Sequence, residues 1–260
     1  MAVERRKGMR CNKLSGLCLI ILVVLFVIAS SLEALTPRTL GFKIGYNRNQ
    51  LRGQNTGPDI EVTKIATNGV TIGLVGNVKI LDWLYFQPEV LYFQKGGKYD
   101  VKVPLPVSIP GFEVNVIDAR ALEYLEIPLL LKLALPVKWP VKPTFLTGVS
   151  AGLKLRGNLE NNVNITISGY HVPYFRTEDI TSQLNTLELS YVIGGGFDFD
   201  IGRGRLAIDQ RFFFGLKTNK YETVIPAYYF QAIGLPVTAD IVYRLNMNNY
   251  VFSLALTYFF

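Results

Sequence analysis

Cysteine is almost absent from this chain of 260 residues: Cys11 and Cys18 are the two it has. Disulfide frameworks, cysteine metal sites and thiol nucleophiles are therefore excluded from everything after residue 18. Histidine is scarcer still, with His171 alone, so a multi-histidine metal centre lacks ligands. Long hydrophobic runs are missing too. The longest spans 17–29, short of the roughly twenty residues a transmembrane helix needs. Yet 49% of the residues are hydrophobic. Such a chain must carry its apolar surface in some pattern other than a continuous run.

The 17–29 run follows Arg5, Arg6, Lys7, Arg10 and Lys13 and leads into Ser30, Ser31 and Ala34. A basic region, an apolar region and small residues in that order make a secretory signal peptide. We expect residues 1–34 to be a cleavable leader, cut after Ser31 or Ala34, and residues 35–260 to form one exported domain. A signal anchor is the competing reading, and the shortness of the run weighs against it. The leader holds 5 of the 27 basic and 2 of the 20 acidic residues, so the formal charge of +7 falls to +4 from Leu35 onward. That balance gives no reason to expect a nucleic-acid partner.

What remains is alternation. Side chains point to opposite sides along a strand. Near the C-terminus Tyr250, Phe252, Leu254, Leu256, Tyr258 and Phe260 share one side, while Asn249, Val251, Ser253, Ala255, Thr257 and Phe259 share the other. One face is bulky and apolar, the other mostly slim or polar. A strand that crosses a bilayer needs about nine to eleven residues at its usual tilt. Segments of the same kind occupy 40–47, 69–81, 84–94, 122–133, 144–155, 186–201, 205–217 and 249–260. Eight segments are separated alternately by long stretches and short turns; the 95–121 stretch, with several Val and Ile, is expected to extend its hairpin above the membrane. That asymmetry defines the fold class expected here: an all-β, eight-stranded, antiparallel, up-and-down transmembrane β-barrel. A lipocalin-like soluble barrel would bury its apolar face inward; here the polar face is the narrow, glycine-rich one, so lipid outside fits better. Trp83, Tyr85 and Trp139 fall at the short-turn end, where an aromatic girdle belongs. Pro88 and Pro128 interrupt otherwise regular strands and predict a bulge or kink.

Several segments resemble the PorT-like outer-membrane β-barrel family of Gram-negative bacteria. They are Phe86-Gln87-Pro88-Glu89-Val90-Leu91-Tyr92-Phe93-Gln94-Lys95-Gly96 and Leu125-Glu126-Ile127-Pro128-Leu129-Leu130-Leu131-Lys132, with similar stretches at 41–47, at Gly194-Gly195-Gly196 and at Asp209-Gln210-Arg211. In that family the arginine is usually followed by tyrosine, whereas Arg211 is followed by Phe212. The resemblance implies the eight-stranded barrel and the outer membrane, and says little about activity. One group of the family serves a protein-secretion and gliding apparatus.

An eight-stranded barrel is just wide enough for its own side chains to fill it. Inward parity places Glu89, Glu126, Asp209 and Arg211 near mid-height. Two interior carboxylates need a cation nearby or one takes up a proton. We expect Arg211, helped by Lys43 or Lys132, to bridge Glu89 and Glu126 in a polar plug. Asp198 and Asp200 share a face but are too few for a calcium site, and read as solvated residues at the lumen mouth. His171 lies near Ser168, Asp179 and Ser182, with nothing to assign nucleophile, base and orienter together. We therefore expect no enzyme and no cofactor or metal. The expected role is structural or binding, through long extracellular loops. A small-solute pore and an accessory part of a secretion or gliding apparatus are the alternatives. Outer-membrane lipid, the outer-membrane assembly machinery and other envelope proteins are the expected partners of a monomer with periplasmic termini. Tyr258 and Phe260 supply the assembly signal. Replacing Phe260 with Asp should lower the amount of membrane-embedded barrel several-fold; unchanged levels in membrane fractions would contradict that role.

Overall fold

The computed structural model describes residues 38–55, 61–102, 112–167, 170–216, 219–231 and 240–260. The expected leader lies outside them. Eleven strands are present among the described residues: β1 (Arg38–Asn55), β2 (Glu61–Ile65), β3 (Thr67–Leu81), β4 (Leu84–Lys102), β5 (Phe112–Ala134), β6 (Val141–Ile167), β7 (Tyr170–Asp179), β8 (Leu187–Ile201), β9 (Gly204–Gly215), β10 (Asn219–Ile225) and β11 (Ile241–Phe259). They reduce to eight staves in the order β1, β3, β4, β5, β6, β8, β9, β11, and β1 pairs with β11 to close the ring. The three extra strands continue staves past a break. β2 follows β3 along β4, β7 follows β8 along β6, and β10 follows β9 along β11.

Closure answers a solvent problem. In hydrocarbon an unpaired backbone N–H or C=O costs several kcal/mol, so a sheet may cross only without an edge. The closing ladder runs from Gly41–Phe259 to Asn55–Leu245. Outward side chains then meet lipid. Leu40, Ile44, Leu74, Leu129, Val149, Phe197, Phe212 and Leu254 are all exposed. Bulky apolar residues exposed around the whole ring form the lipid-facing belt that alternation predicts.

The staves are longer than the alternation suggests. β1 runs to Asn55 rather than stopping near Asn47, and β4, β5 and β6 continue to Lys102, from Phe112 and to Ile167. The reason is visible in one cross-strand row. Gln94 faces Glu123, and Glu123 faces Arg156. Beyond that row the outward residues turn polar, as Lys98, Glu160 and Arg176 show. The strands leave the apolar belt and continue as ordinary sheet. The 95–121 stretch extends its hairpin as expected, and the polar stretches after β1 and within 156–185 and 218–248 are also partly strand.

The prolines act differently from expectation. Register is unbroken through Pro88 and Pro128; the β4–β5 ladder merely lapses between Pro88–Leu129 and Leu91–Glu126. Both prolines sit at this one gap, and the pairs on either side keep the strands aligned. Register shifts lie elsewhere: one in β3 between Lys79 and Leu81, and a bulge in β6 between Lys154 and Arg156, which pair with Tyr124 and Glu123. Above it Ile180 and Leu184, flanking a 3-10 turn at Thr181–Gln183, bury against Gly157. A Cβ there would lie 2.6 Å from Leu184 Cδ1. Lys154 Nζ donates to the carbonyls of Thr181 and Leu184, both at 2.7 Å, and pins the insert.

At the opposite, short-turn end Gly202 takes the left-handed φ of 57° that its turn requires. Trp83 and Trp139 are exposed there, Trp139 at 65%. Tyr85 corrects the expected girdle. It shares inward parity with buried Gln87 and Glu89, and its ring lies 5.9 Å from the Arg205 guanidinium, at the lumen mouth. Trp83 and Trp139 are the chain's two tryptophans. In bilayers, lipids brominated near the headgroup should quench their fluorescence more than lipids brominated at the chain ends; the reverse order would contradict the placement.

Candidate functional site

The lumen is the region where polar residues are concentrated against the interior. It is filled in layers, ordered by β4. From the short-turn end its inward residues read Tyr85, Gln87, Glu89, Leu91, Phe93, Lys95, Gly97, Tyr99 and Val101.

The first layer joins Lys132, Asp198 and Arg205. Lys132 Nζ donates to both carboxylate oxygens of Asp198 at 2.7 Å. Arg205 approaches the same carboxylate at 3.5 Å and lies 4.7 Å from the ring centroid of Phe259. Phe259, Val75 and Ala207 form a small apolar cluster. Asp198 is therefore a buried ion-pair partner rather than a solvated mouth residue. Asp200, with its side chain 59% exposed, stays near solvent and pairs with Lys142 at 2.6 Å.

Higher on β4, at Glu89, is the core of the plug. Arg211 donates to Glu89 Oε2 at 2.8 Å and to Asp209 Oδ2 at 3.1 Å. Lys43 donates to Glu89 at 3.1 Å and to Asp209 at 3.2 Å. Gln87 adds a hydrogen bond of 2.6 Å to Glu89. Two cations and two carboxylates alternate, each charge touching two of opposite sign. Such mutual pairing makes the burial of ions tolerable, because an isolated charge in low dielectric costs several kcal/mol. The room comes from β8. Gly194 faces Arg211 and Gly196 faces Asp209. A Cβ on either would lie 2.3 or 2.2 Å from a backbone oxygen of β9. Charged side chains on one stave are thus matched by glycine on the next.

Above this an apolar layer crosses the barrel: Leu91, Phe93, Leu130, Leu146, Val192, Phe213 and Val251, all buried. Phe93 and Phe213 meet at a centroid distance of 4.9 Å. A third charged group follows. Lys95 pairs with Glu126 and, at 3.2 Å, with Glu188. Ser150 donates to Glu126 at 2.6 Å, and Asn249 donates to Glu188 at 2.8 Å. Lys95 Nζ also lies 4.7 Å from the ring centroid of Tyr124. Higher still, Arg120 chelates Asp118 at 3.0 and 2.6 Å.

The expected single bridge is therefore split. Arg211 and Lys43 meet Glu89 and Asp209, but Glu126 belongs to Lys95 beyond the apolar layer, and Lys132 belongs to Asp198. Parity places a residue on the inner face without saying at what height its stave delivers it. Sequence reasoning missed Lys95, Glu188 and Arg205. Lys95 falls just past the 84–94 segment, in the stretch expected to extend the hairpin above the membrane, although it continues the inward parity of Gln87 and Glu89. Glu188 likewise continues that of Ser190.

The other candidates scatter. The backbone of His171 lies on β7 opposite Thr166, while Ser168 is outside the described residues. Asp179 is exposed and accepts a 2.8 Å hydrogen bond from the Thr181 N–H. The Thr181 side chain and backbone hold its carboxyl below the usual range. No group of three or more metal-ligating side chains occurs among the described residues.

A closed eight-stave ring with a lipid-facing belt and a packed lumen is one side of the comparison with known proteins; sequence is the other. Residues 34–220 match the pattern of the outer membrane protein beta-barrel domain. The chain belongs to that family. No curated protein matches it. Solved structures similar in fold include OprG from Pseudomonas aeruginosa, 11% identical, with a TM-score of 0.40 over 86% of this chain and 98% of that one. Ail of Yersinia pestis is 11% identical, with a TM-score of 0.34 over 86% and 99%. Neisserial surface protein A is 11% identical, with a TM-score of 0.31 over 85% and 97%. None of these likenesses bears on activity.

Arg211 is the residue on which the plug turns. Arg211→Glu would set three carboxylates against Lys43. Breaking a buried pair costs about 3–5 kcal/mol, and reversal should cost at least that. The expected result is a lowered denaturation midpoint in micelles, or a barrel that conducts in planar bilayers. Wild-type stability combined with no conductance would contradict the plug.

Proposed function

We propose that this outer-membrane barrel is a closed, non-enzymatic protein that acts by presenting its long-loop end as a binding surface. The observation that carries the reading is the apolar layer of Leu91, Phe93, Leu130, Leu146, Val192, Phe213 and Val251 between charge-paired layers. Ions and small solutes would have to break both a dry layer and buried ion pairs to pass. With the lumen occupied, the surface left for function is the sheet that continues past the Gln94–Glu123–Arg156 row. There a groove of about 200 Å³ is lined by Lys98, Ile117, Glu160, Phe175, Arg176 and neighbours, and Phe175 is 70% exposed. An exposed aromatic among charges of both signs suits a protein segment.

In this reading residues 1–34 direct export, the termini lie in the periplasm and the long-loop end faces outward. We place the chain in the PorT-like branch of the family. Its two resembling segments pair with each other along the β4–β5 ladder, so they describe one surface of the barrel rather than two scattered matches. A component of a secretion or gliding apparatus would use the same loop end.

Two measurements test this. The purified barrel should show no steady conductance in planar bilayers; discrete channels would replace the reading with a pore. Crosslinking in intact cells should capture envelope or extracellular proteins, and Phe175→Ser should reduce that capture several-fold. Capture that is indifferent to the substitution would move the binding surface elsewhere, and co-purified secretion components would specify the apparatus.

A further inference from the structure

The lipid-facing wall contains one groove that the barrel itself does not explain. It has a volume of about 780 Å³ and spans β6, β8, β9 and β11, with Gly195 at its floor and Phe145, Phe197, Ile208, Phe212 and Leu254 among its walls. The three glycines of β8 differ. Gly194 and Gly196 have no room for a side chain, as their Cβ atoms would meet backbone at 2.3 and 2.2 Å. At Gly195 a Cβ would meet only the Thr144 carbonyl, at 3.2 Å. Packing within the barrel demands the outer two glycines and leaves the outward-facing middle one unaccounted for.

Beside Gly195 in the ladder stands Gln210. Its side chain points outward and is exposed. Outward on β9 it has Leu206 and Ile208 on one side and Phe212 and Phe214 on the other, so it sits in the middle of the apolar belt. None of the described residues hydrogen-bonds to its amide. Hydrocarbon offers no partner either, so the amide stays unmet there at a cost in free energy. A glutamine side chain is too short to reach the interface across half of a belt about 25 Å tall.

We propose that this face is the contact between two copies of the chain in the membrane. A two-fold axis brings one patch onto its own image. The primary amide is self-complementary, since each Gln210 Nε2 can donate to the Oε1 of the other. An acyl chain would fill the groove but leave both amides unmet. The bare Gly195 lets the two walls approach closely, as small residues do where membrane segments associate, and a polar side chain then joins them. This departs from the monomer expected from sequence.

The test uses the full barrel in phosphatidylcholine vesicles, with stoichiometry counted by single-molecule photobleaching over a series of protein-to-lipid ratios. Wild type should be dimeric, with Gln210→Leu and Gly195→Leu each raising the dissociation constant by about tenfold. Ile44→Ala, on the β1 wall, should leave it unchanged. Gln210→Leu replaces a polar lipid-facing group with an apolar one, so its folding is not at risk, and heat-modifiable gel mobility verifies each variant. A wild type that stays monomeric at every dilution overturns the proposal, including when lipid co-purifies in the groove. Gln210→Leu dimers as tight as wild type overturn it equally.

Discussion

Everything in this molecule depends on the ladder between its first and last strands. The fifteen residue pairs from Gly41–Phe259 to Asn55–Leu245 turn a sheet with two edges into one with none. Without them the outer side chains would be compatible with lipid but the backbone would not. Closure also fixes the inside. Once eight staves form a ring, the interior has a set width, and the inward residues must fill it without leaving a charge alone.

The filling is charge against charge, separated by an apolar layer. Filling a lumen with ions costs desolvation, and the pairing around Glu89 offsets this by giving each ion two partners. It also demands exact fit in another sense: β8 must give up its side chains where β9 supplies long ones. Gly194 and Gly196 opposite Arg211 and Asp209 are the two halves of one device. The same rule recurs at Gly152, where a Cβ would meet Glu126 Oε1 at 2.7 Å.

Alternation makes the barrel legible in the sequence, because lipid outside and packing inside impose opposite chemistry on successive residues. The eight staves, their order of long and short connections, and the inward set of Lys43, Glu89, Glu126, Asp209 and Arg211 could all be read from it. Two things could not. Where the outer face becomes polar the contrast fades: Val and Ile within 95–121 still mark the extended hairpin of β4 and β5, but the polar 156–185 stretch hides the upper half of β6. Height was hidden as well. The pairing partners of Glu126 and Lys132 depend on stagger between staves, a property of the closed ring that no single strand carries. Tyr85 misled for a simpler reason, since nearness to the Trp83 turn in sequence says nothing about which face it takes.

The bulge in β6 has a further implication. Below Leu155 even-numbered residues face inward, as Leu146 and Ser150 do; above it odd-numbered ones do, as Gly157, Leu159 and Val163 show. Leu155 and Arg156 both point outward, and the strand changes phase between them. The membrane segment and the projecting sheet are therefore two reading frames on one continuous strand. Each has its own inside–outside pattern, so substitutions can reshape the upper frame without disturbing the parity that keeps the lower one in lipid.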